Sequence, residues 1–136
     1  MNFVLDTSIA VSWCFSDEAT PKSILLLKRL EKETAFVPNL WSLELGNVLV
    51  MAEKRKRITF AQSIEFISLL SHLKIEVDSE TNTKALHEIF SLAHSENLTT
   101  YDAAYLELAM RLGLPLATKD KELHKIAIKL GVKTLG

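Results

Sequence analysis

Phe3-Val4-Leu5-Asp6 near the start of the chain and Pro115-Leu116-Ala117-Thr118-Lys119-Asp120 near its end share one pattern: a short apolar run closed by an aspartate. Such a run suits a strand buried on both faces of a parallel sheet. Short apolar runs at 35–37, 75–77 and 132–134 join 2–5 and 115–117 as strand candidates. Between them, apolar residues recur at helical spacing over 8–14, 21–32, 40–56, 60–72, 80–95, 102–112 and 121–130. Pro21 suits a first helical turn, and Gly113 and Gly131 suit helix C-caps ahead of strands. The alternation predicts an α/β fold: one Rossmann-like domain over residues 1–136, its parallel sheet of about five strands covered by helices on both faces.

Composition narrows the class. The chain has 136 residues, 48% hydrophobic and 24% charged, an ordinary globular balance with enough apolar material for a core. A net charge of -1 argues against holding nucleic acid by bulk electrostatics, though not against a local basic patch. Cys14 is the only cysteine, so no internal disulfide is expected, which fits a reducing cytoplasm. No apolar run approaches the roughly 18 residues of a membrane helix, and no basic-then-apolar leader is visible. A cytoplasmic protein without a membrane partner is the expectation.

Strand order then places the acids. Helices adjoining parallel strands run antiparallel to them, so helix N-termini collect at the carboxyl edge of the sheet, where such folds bind ligands. Asp6 closes the first strand, Asp120 follows the fourth, Asp102 opens the helix leading into the fourth, and Glu44 lies in the first turns of the helix after the second. All four predict to one rim. Helix capping accounts for Asp6 and Asp120 taken singly, and Thr99 with an acid three residues on resembles a capping box. Glu44 differs: it shares a helical stripe with Leu40, Val48 and Met51, with Trp41 nearby, so its charge needs a salt bridge or a metal. Four carboxylates without His or Cys point to Mg²⁺ or Mn²⁺ rather than zinc. Thr7, Ser8 and Thr118 are placed to orient those carboxylates, with ordinary capping the simpler role for Ser8.

Asp6-Thr7-Ser8 with Trp13 and Asp17-Glu18, then Glu44, then Thr99-x-Tyr101-Asp102-Ala103-x-Tyr105-x-x-Leu108-Ala109, then Ala117-Thr118-x-Asp120-x-x-Leu123 resemble a PIN domain. More narrowly they resemble the VapC toxins of toxin–antitoxin pairs, from residue 2 to about residue 134. The resemblance implies a metal-dependent endoribonuclease with Asp6, Glu44, Asp102 and Asp120 as catalytic and metal-binding residues, and Thr118 as the hydroxyl beside the last acid. It implies hydrolysis by a water activated at Mg²⁺ or Mn²⁺, leaving a 5′-phosphate and a 3′-hydroxyl. It also implies a homodimer silenced by a cognate antitoxin.

Substrate and partner surfaces are less marked. Lys119 and Lys121 flank Asp120 and are placed to touch an RNA phosphate, whereas Lys54-Arg55-Lys56-Arg57 ends a helix and falls at the far side from the rim. Trp13, Phe15, Trp41, Leu45 and Leu49 are candidates for an apolar groove receiving an antitoxin helix, with plain packing the other account. Two rival functions fit the sequence less well. A phospho-receiver needs an adjacent acidic pair after the first strand, but Asp6 is followed by Thr7. A catalytically inactive PIN-like RNA- or protein-binding module would usually lack an acid, and all four are present.

Overall fold

Phe3–Leu5 forms β1, and all three side chains are fully buried, as a strand covered on both faces requires. The computed structural model describes all 136 residues. Thr7–Cys14 (α1) and Pro21–Arg29 (α2) lead to Ala35–Val37 (β2). Trp41–Lys54 (α3) and Phe60–Ser71 (α4) lead to Ile75–Val77 (β3). Thr81–Lys84 (α5), a π-helical stretch at Ala85–Ile89, Phe90–Glu96 (α6) and Thr100–Leu112 (α7) precede Leu116–Ala117 (β4). Lys121–Lys129 (α8) and Thr134–Leu135 (β5) complete the chain.

The sheet is parallel throughout, in the order β3-β2-β1-β4-β5. β1 is central, pairing Val4 with Phe36 on one side and with Leu116 on the other. The chain steps from β1 outward to β3, then crosses back to β4 and steps outward to β5. Right-handed crossovers therefore put α1 to α4 on one face and α5 to α8 on the other. In keeping with this, α7 lies against β1 and β4 while α1 lies against α2 and α3. The direction reverses between β1 and β4, so the crevice of the fold opens beyond their carboxyl ends.

Most expected elements form close to their predicted spans, and the differences have local causes. The α7 helix starts at Thr100 rather than at Asp102, because the Thr99 hydroxyl caps it by accepting from the Asp102 backbone N–H at 3.1 Å. Asp102 thus occupies the third helical position instead of opening the helix. At the end of α3, Lys56 turns left-handed at φ 57° and stops the charged run from continuing the helix. Gly113 and Gly131, at φ 66° and 81°, terminate helices as expected.

The expected apolar groove does not exist as one surface. Phe15, Trp41, Leu45 and Leu49 are buried in the main core. Trp13 is half-buried, with its indole N–H donated to the Ser23 carbonyl at 2.7 Å. Helix α4 separates two hollows: one of about 590 Å³ is lined by Trp13, Phe15 and Phe66, the other of about 330 Å³ by Trp41, Leu45, Leu49 and Ile67. Covering the inner sheet face consumed the side chains that sequence spacing left apparently spare.

Candidate active site

Asp6 stands at the end of β1 with an extended backbone (φ −76°, ψ 147°) in the N-cap position of α1, yet its side chain does not cap the helix. Its Oδ2 instead accepts from the Ser8 hydroxyl at 2.6 Å and the Thr118 hydroxyl at 2.8 Å. Each of those hydroxyls also accepts from the loop after β4: Thr118 from the Asp120 N–H at 3.0 Å, Ser8 from the Lys119 N–H at 2.9 Å. The ends of β1 and β4 are thereby stitched together around one buried carboxylate. Burial pushes the Asp6 carboxyl above its ordinary value; the Ser8 and Thr118 hydroxyls oppose this, and the charge of Asp120 adds to it.

Glu44, in the first turn of α3, is half-buried and finds no cation. Its Oε1 accepts from the Tyr105 hydroxyl at 2.5 Å and the Thr7 hydroxyl at 3.3 Å. Thr7 and Tyr105 are themselves 2.8 Å apart, so three groups from α1, α3 and α7 form one hydrogen-bonded cluster. Burial raises the Glu44 pKa, the Tyr105 bond opposes it, and the charges of Asp6 and Asp102 add to it. The Tyr105 phenol is pushed far above its ordinary value by burial and by the carboxylate it serves, so it remains a donor.

Asp102 is half-buried, and its pKa is raised by burial and then by the charges of Asp6 and Asp120, with the Thr99 hydroxyl pulling weakly downward. Asp120 does cap: its Oδ1 accepts from the Glu122 and Leu123 backbone N–H groups at 2.9 and 3.1 Å. Capping and membership of the acidic cluster are therefore compatible at this residue. None of the four acids takes part in a salt bridge. Hydrogen bonds link the acids in pairs: the Thr118 hydroxyl bridges the Asp6 carboxylate and the Asp120 N–H, and Tyr105, one turn after Asp102, reaches Glu44.

The cluster suits a hard divalent cation by donor chemistry. One oxygen of Asp6, Glu44 and Asp120 is engaged by the protein, and the other (Oδ1, Oε2 and Oδ2 respectively) makes no hydrogen bond. Oxygen-only ligands without a cationic partner are what Mg²⁺ or Mn²⁺ would neutralise. No three carboxylate, imidazole or thiol groups approach closely enough to form a closed ligand set. The fit lies in charge and donor type, not in a finished coordination shell.

Other expected residues fare unevenly. The Thr7 hydroxyl donates to Glu44 and the Thr118 hydroxyl to Asp6. Lys121 is exposed beside Asp120. Lys119 is half-buried and its Nζ donates to the Glu18 carbonyl at 2.6 Å, which ties it to the loop after α1 and corrects its assignment as a free phosphate contact. Arg57 is held by Asp17 and Glu18 and stacks 4.2 Å from the Phe15 ring centroid. Tyr105 and Ser8 carry more of the site than their sequence context indicates, through bonds to Glu44 and Asp6. Tyr105 follows Asp102 by one helical turn, and its hydroxyl interrupts the otherwise apolar run around it, which is the signal that marks it.

Comparison with known proteins places the fold. The family model for the PIN domain matches residues 3–129. The fold superposes on PAE2754 from Pyrobaculum aerophilum with a TM-score of 0.67 at 26% identity, covering 92% of this chain and 86% of that one. It also superposes on VapBC2 from Rickettsia felis, determined bound to a DNA fragment from its promoter, with a TM-score of 0.69 at 16% identity over 100% of both chains. FitAcB from Neisseria gonorrhoeae gives 0.64 at 16% identity, over 100% of this chain and 97% of the other. No curated protein is significantly similar in sequence. No helix is long and apolar enough to cross a membrane. With the family match spanning nearly the whole chain around a central strand that ends in Asp6, this protein belongs to the PIN-domain family.

Proposed function

We propose that this chain is a Mg²⁺- or Mn²⁺-dependent endoribonuclease toxin of the VapC type, acting as a homodimer and silenced by a cognate antitoxin. The observation that carries this reading is the set of four carboxylates free of salt bridges, each at the start of a different helix, with Asp6 and Asp120 following the adjacent strands β1 and β4 and joined through the Thr118 hydroxyl. Likeness to VapBC2 and FitAcB supports the toxin–antitoxin context. The apolar hollow beside α4 lined by Trp41, Leu45, Leu49 and Ile67, and the exposed Phe60 and Ile64 along that helix, support docking of an apolar partner segment.

When bound, a divalent cation supplies Lewis acidity that lowers the pKa of water and offsets charge on the scissile phosphate. Asp6, Asp102 and Asp120 would hold it, with Glu44 as a fourth ligand or as the acceptor that orients a water. Ser8 and Thr118 fix the direction of Asp6, and Thr7 and Tyr105 fix that of Glu44. Positioning of this kind sets how much of the barrier to in-line attack is removed in advance.

Cleavage of a single-stranded RNA with and without Mn²⁺ or Mg²⁺ tests the reading, comparing wild type with Asp6→Asn and Asp102→Asn. Metal-stimulated cutting that both substitutions abolish is the expected result. Wild-type protein that cuts no faster with metal, or variants that cut as fast as wild type, would refute it.

A further inference from the structure

A second feature adjoins the acids on the same two helix starts. Tyr101 and Leu43 immediately precede Asp102 and Glu44 and are strongly exposed, at 62% and 81%. With Leu86, exposed at 79%, they rim a cavity of about 330 Å³ that Leu40, Ile89 and Ala104 help to floor. That volume is at the lower end of the roughly 300–1,000 Å³ typical of ligand pockets. No charged residue lines it. Asn39 and Asn82 also line it, and their carboxamides make no hydrogen bond within the protein. Their idle donors and acceptors are the only side-chain amides there.

Covalent connectivity limits what can occupy such a place. A phosphodiester held at the carboxylates carries a nucleoside on each side, so the surface next to the acids must meet a ribose and a base. On the Asp120 side that surface is polar and charged, with Lys121 and Glu122 exposed. On the Tyr101 side it is neutral, aromatic and amide-bearing, which suits an uncharged heterocycle and not a phosphate. Aromatic faces of this kind hold unpaired bases by stacking, and amides read base edges.

We infer that this cavity is a nucleobase subsite, in which an unpaired base adjoining the scissile phosphate stacks on Tyr101 while Asn39 and Asn82 contact its edge. The inference rests on the nuclease reading above and adds to it the place where sequence preference arises. A protein segment is the competing occupant; it would owe nothing to the base next to the cut.

The test is a coupling experiment between Tyr101 and the base. Short RNAs carrying a single abasic site at successive positions around the cut are cleaved by wild type, Tyr101→Ala and Tyr101→Phe. At one position, loss of the base should lower wild-type kcat/KM by roughly 5- to 150-fold, the range for one base–aromatic stack. Tyr101→Ala should show the same loss on intact RNA and little further loss on the abasic one, whereas Tyr101→Phe should behave like wild type. Equal abasic penalties in wild type and Tyr101→Ala would overturn the subsite. Absence of metal-stimulated cleavage by wild type would instead sink the nuclease reading. In that event a 2-aminopurine RNA, with Ca²⁺ present, still decides the subsite: stacking quenches its fluorescence on wild type but not on Tyr101→Ala, and equal quenching overturns it. Because Tyr101 is exposed, its substitution leaves the fold intact.

Discussion

Tyr105→Phe removes one hydroxyl from a fully buried ring and changes no packing volume, which makes it a clean probe of the Glu44 cluster. The phenol donates to Glu44 at 2.5 Å and meets the Thr7 hydroxyl at 2.8 Å. A hydrogen bond to a charged group contributes roughly 1.5–3 kcal/mol net. Glu44 is only half-buried, and Thr7, already 3.3 Å away, remains a donor, so water and Thr7 recover part of the loss. The expected destabilisation is about 1–2 kcal/mol. For a chain of this length that lowers Tm by about 3–10 °C. A second effect separates positioning from packing. Losing the Tyr105 donor raises the Glu44 pKa further, so the carboxylate protonates at a higher pH. Mn²⁺ affinity, followed by titration calorimetry, should fall by about 10- to 100-fold, the range for losing a group that orients a ligand. Thr7→Val and the double substitution close a cycle that isolates the shared term. A Tyr105→Phe protein that melts with wild type and binds Mn²⁺ equally well would show that the Tyr105–Glu44 bond does not hold the site.

Two further outcomes concern charge. Asp6, Glu44 and Asp102 have native pKa values above their ordinary ones, so between the two the folded state holds protons that the unfolded state has released. Stability of the metal-free protein therefore falls as pH rises through that window, and rises as pH drops toward the ordinary carboxylate range. Asp102→Asn should melt above wild type at neutral pH without metal and gain less from saturating Mn²⁺; thermal melts across pH, with and without Mn²⁺, check both. Asp78 has the opposite sign: burial raises its pKa, but Arg111, Thr81 and the Glu80 backbone outweigh it, so its stabilisation is lost as pH falls through its lowered value. Arg111→Met should cost roughly 3–5 kcal/mol, since it leaves Asp78 and Glu107, 10% and 11% exposed, without their bidentate partner. A urea midpoint close to wild type would show that the pair is solvated.

The elements that sequence made legible are those whose burial is total. Phe3-Val4-Leu5 and Leu116-Ala117 are central strands with no exposed side chain, and an uninterrupted apolar run has no other stable use. The position of each acid at a helix start follows from chain direction, because a helix that directly follows a parallel strand begins at the carboxyl edge of the sheet. What sequence did not show is competition. Trp41, Leu45 and Leu49 have spacing equally suited to a groove or a core, and only the position of α4 decides for the core. Tyr105 was visible as part of a motif but had no role until α1, α3 and α7 met around its hydroxyl. The Lys119 side chain was taken by a carbonyl from the loop after α1, 101 residues away in the chain, which no local pattern encodes.

The acids also bear on why so much negative charge is tolerated without a cation. Asp6 immediately precedes α1, Glu44 and Asp102 lie in the first turns of α3 and α7, and Asp120 immediately precedes α8. Four helix N-termini thus direct their partial positive charge at the cluster, each contributing on the order of 0.3–1 kcal/mol toward an adjacent acid. Hydroxyls from Thr7, Ser8, Tyr105 and Thr118 supply the remaining local stabilisation. Both sources are neutral overall. They can hold the carboxylates in place and oriented, but they leave the net charge uncancelled, as the raised pKa values of Asp6, Glu44 and Asp102 record. A salt bridge from Lys or Arg would have cancelled it and closed the site to any other cation. Hydroxyls and helix ends orient the carboxylates without cancelling that charge.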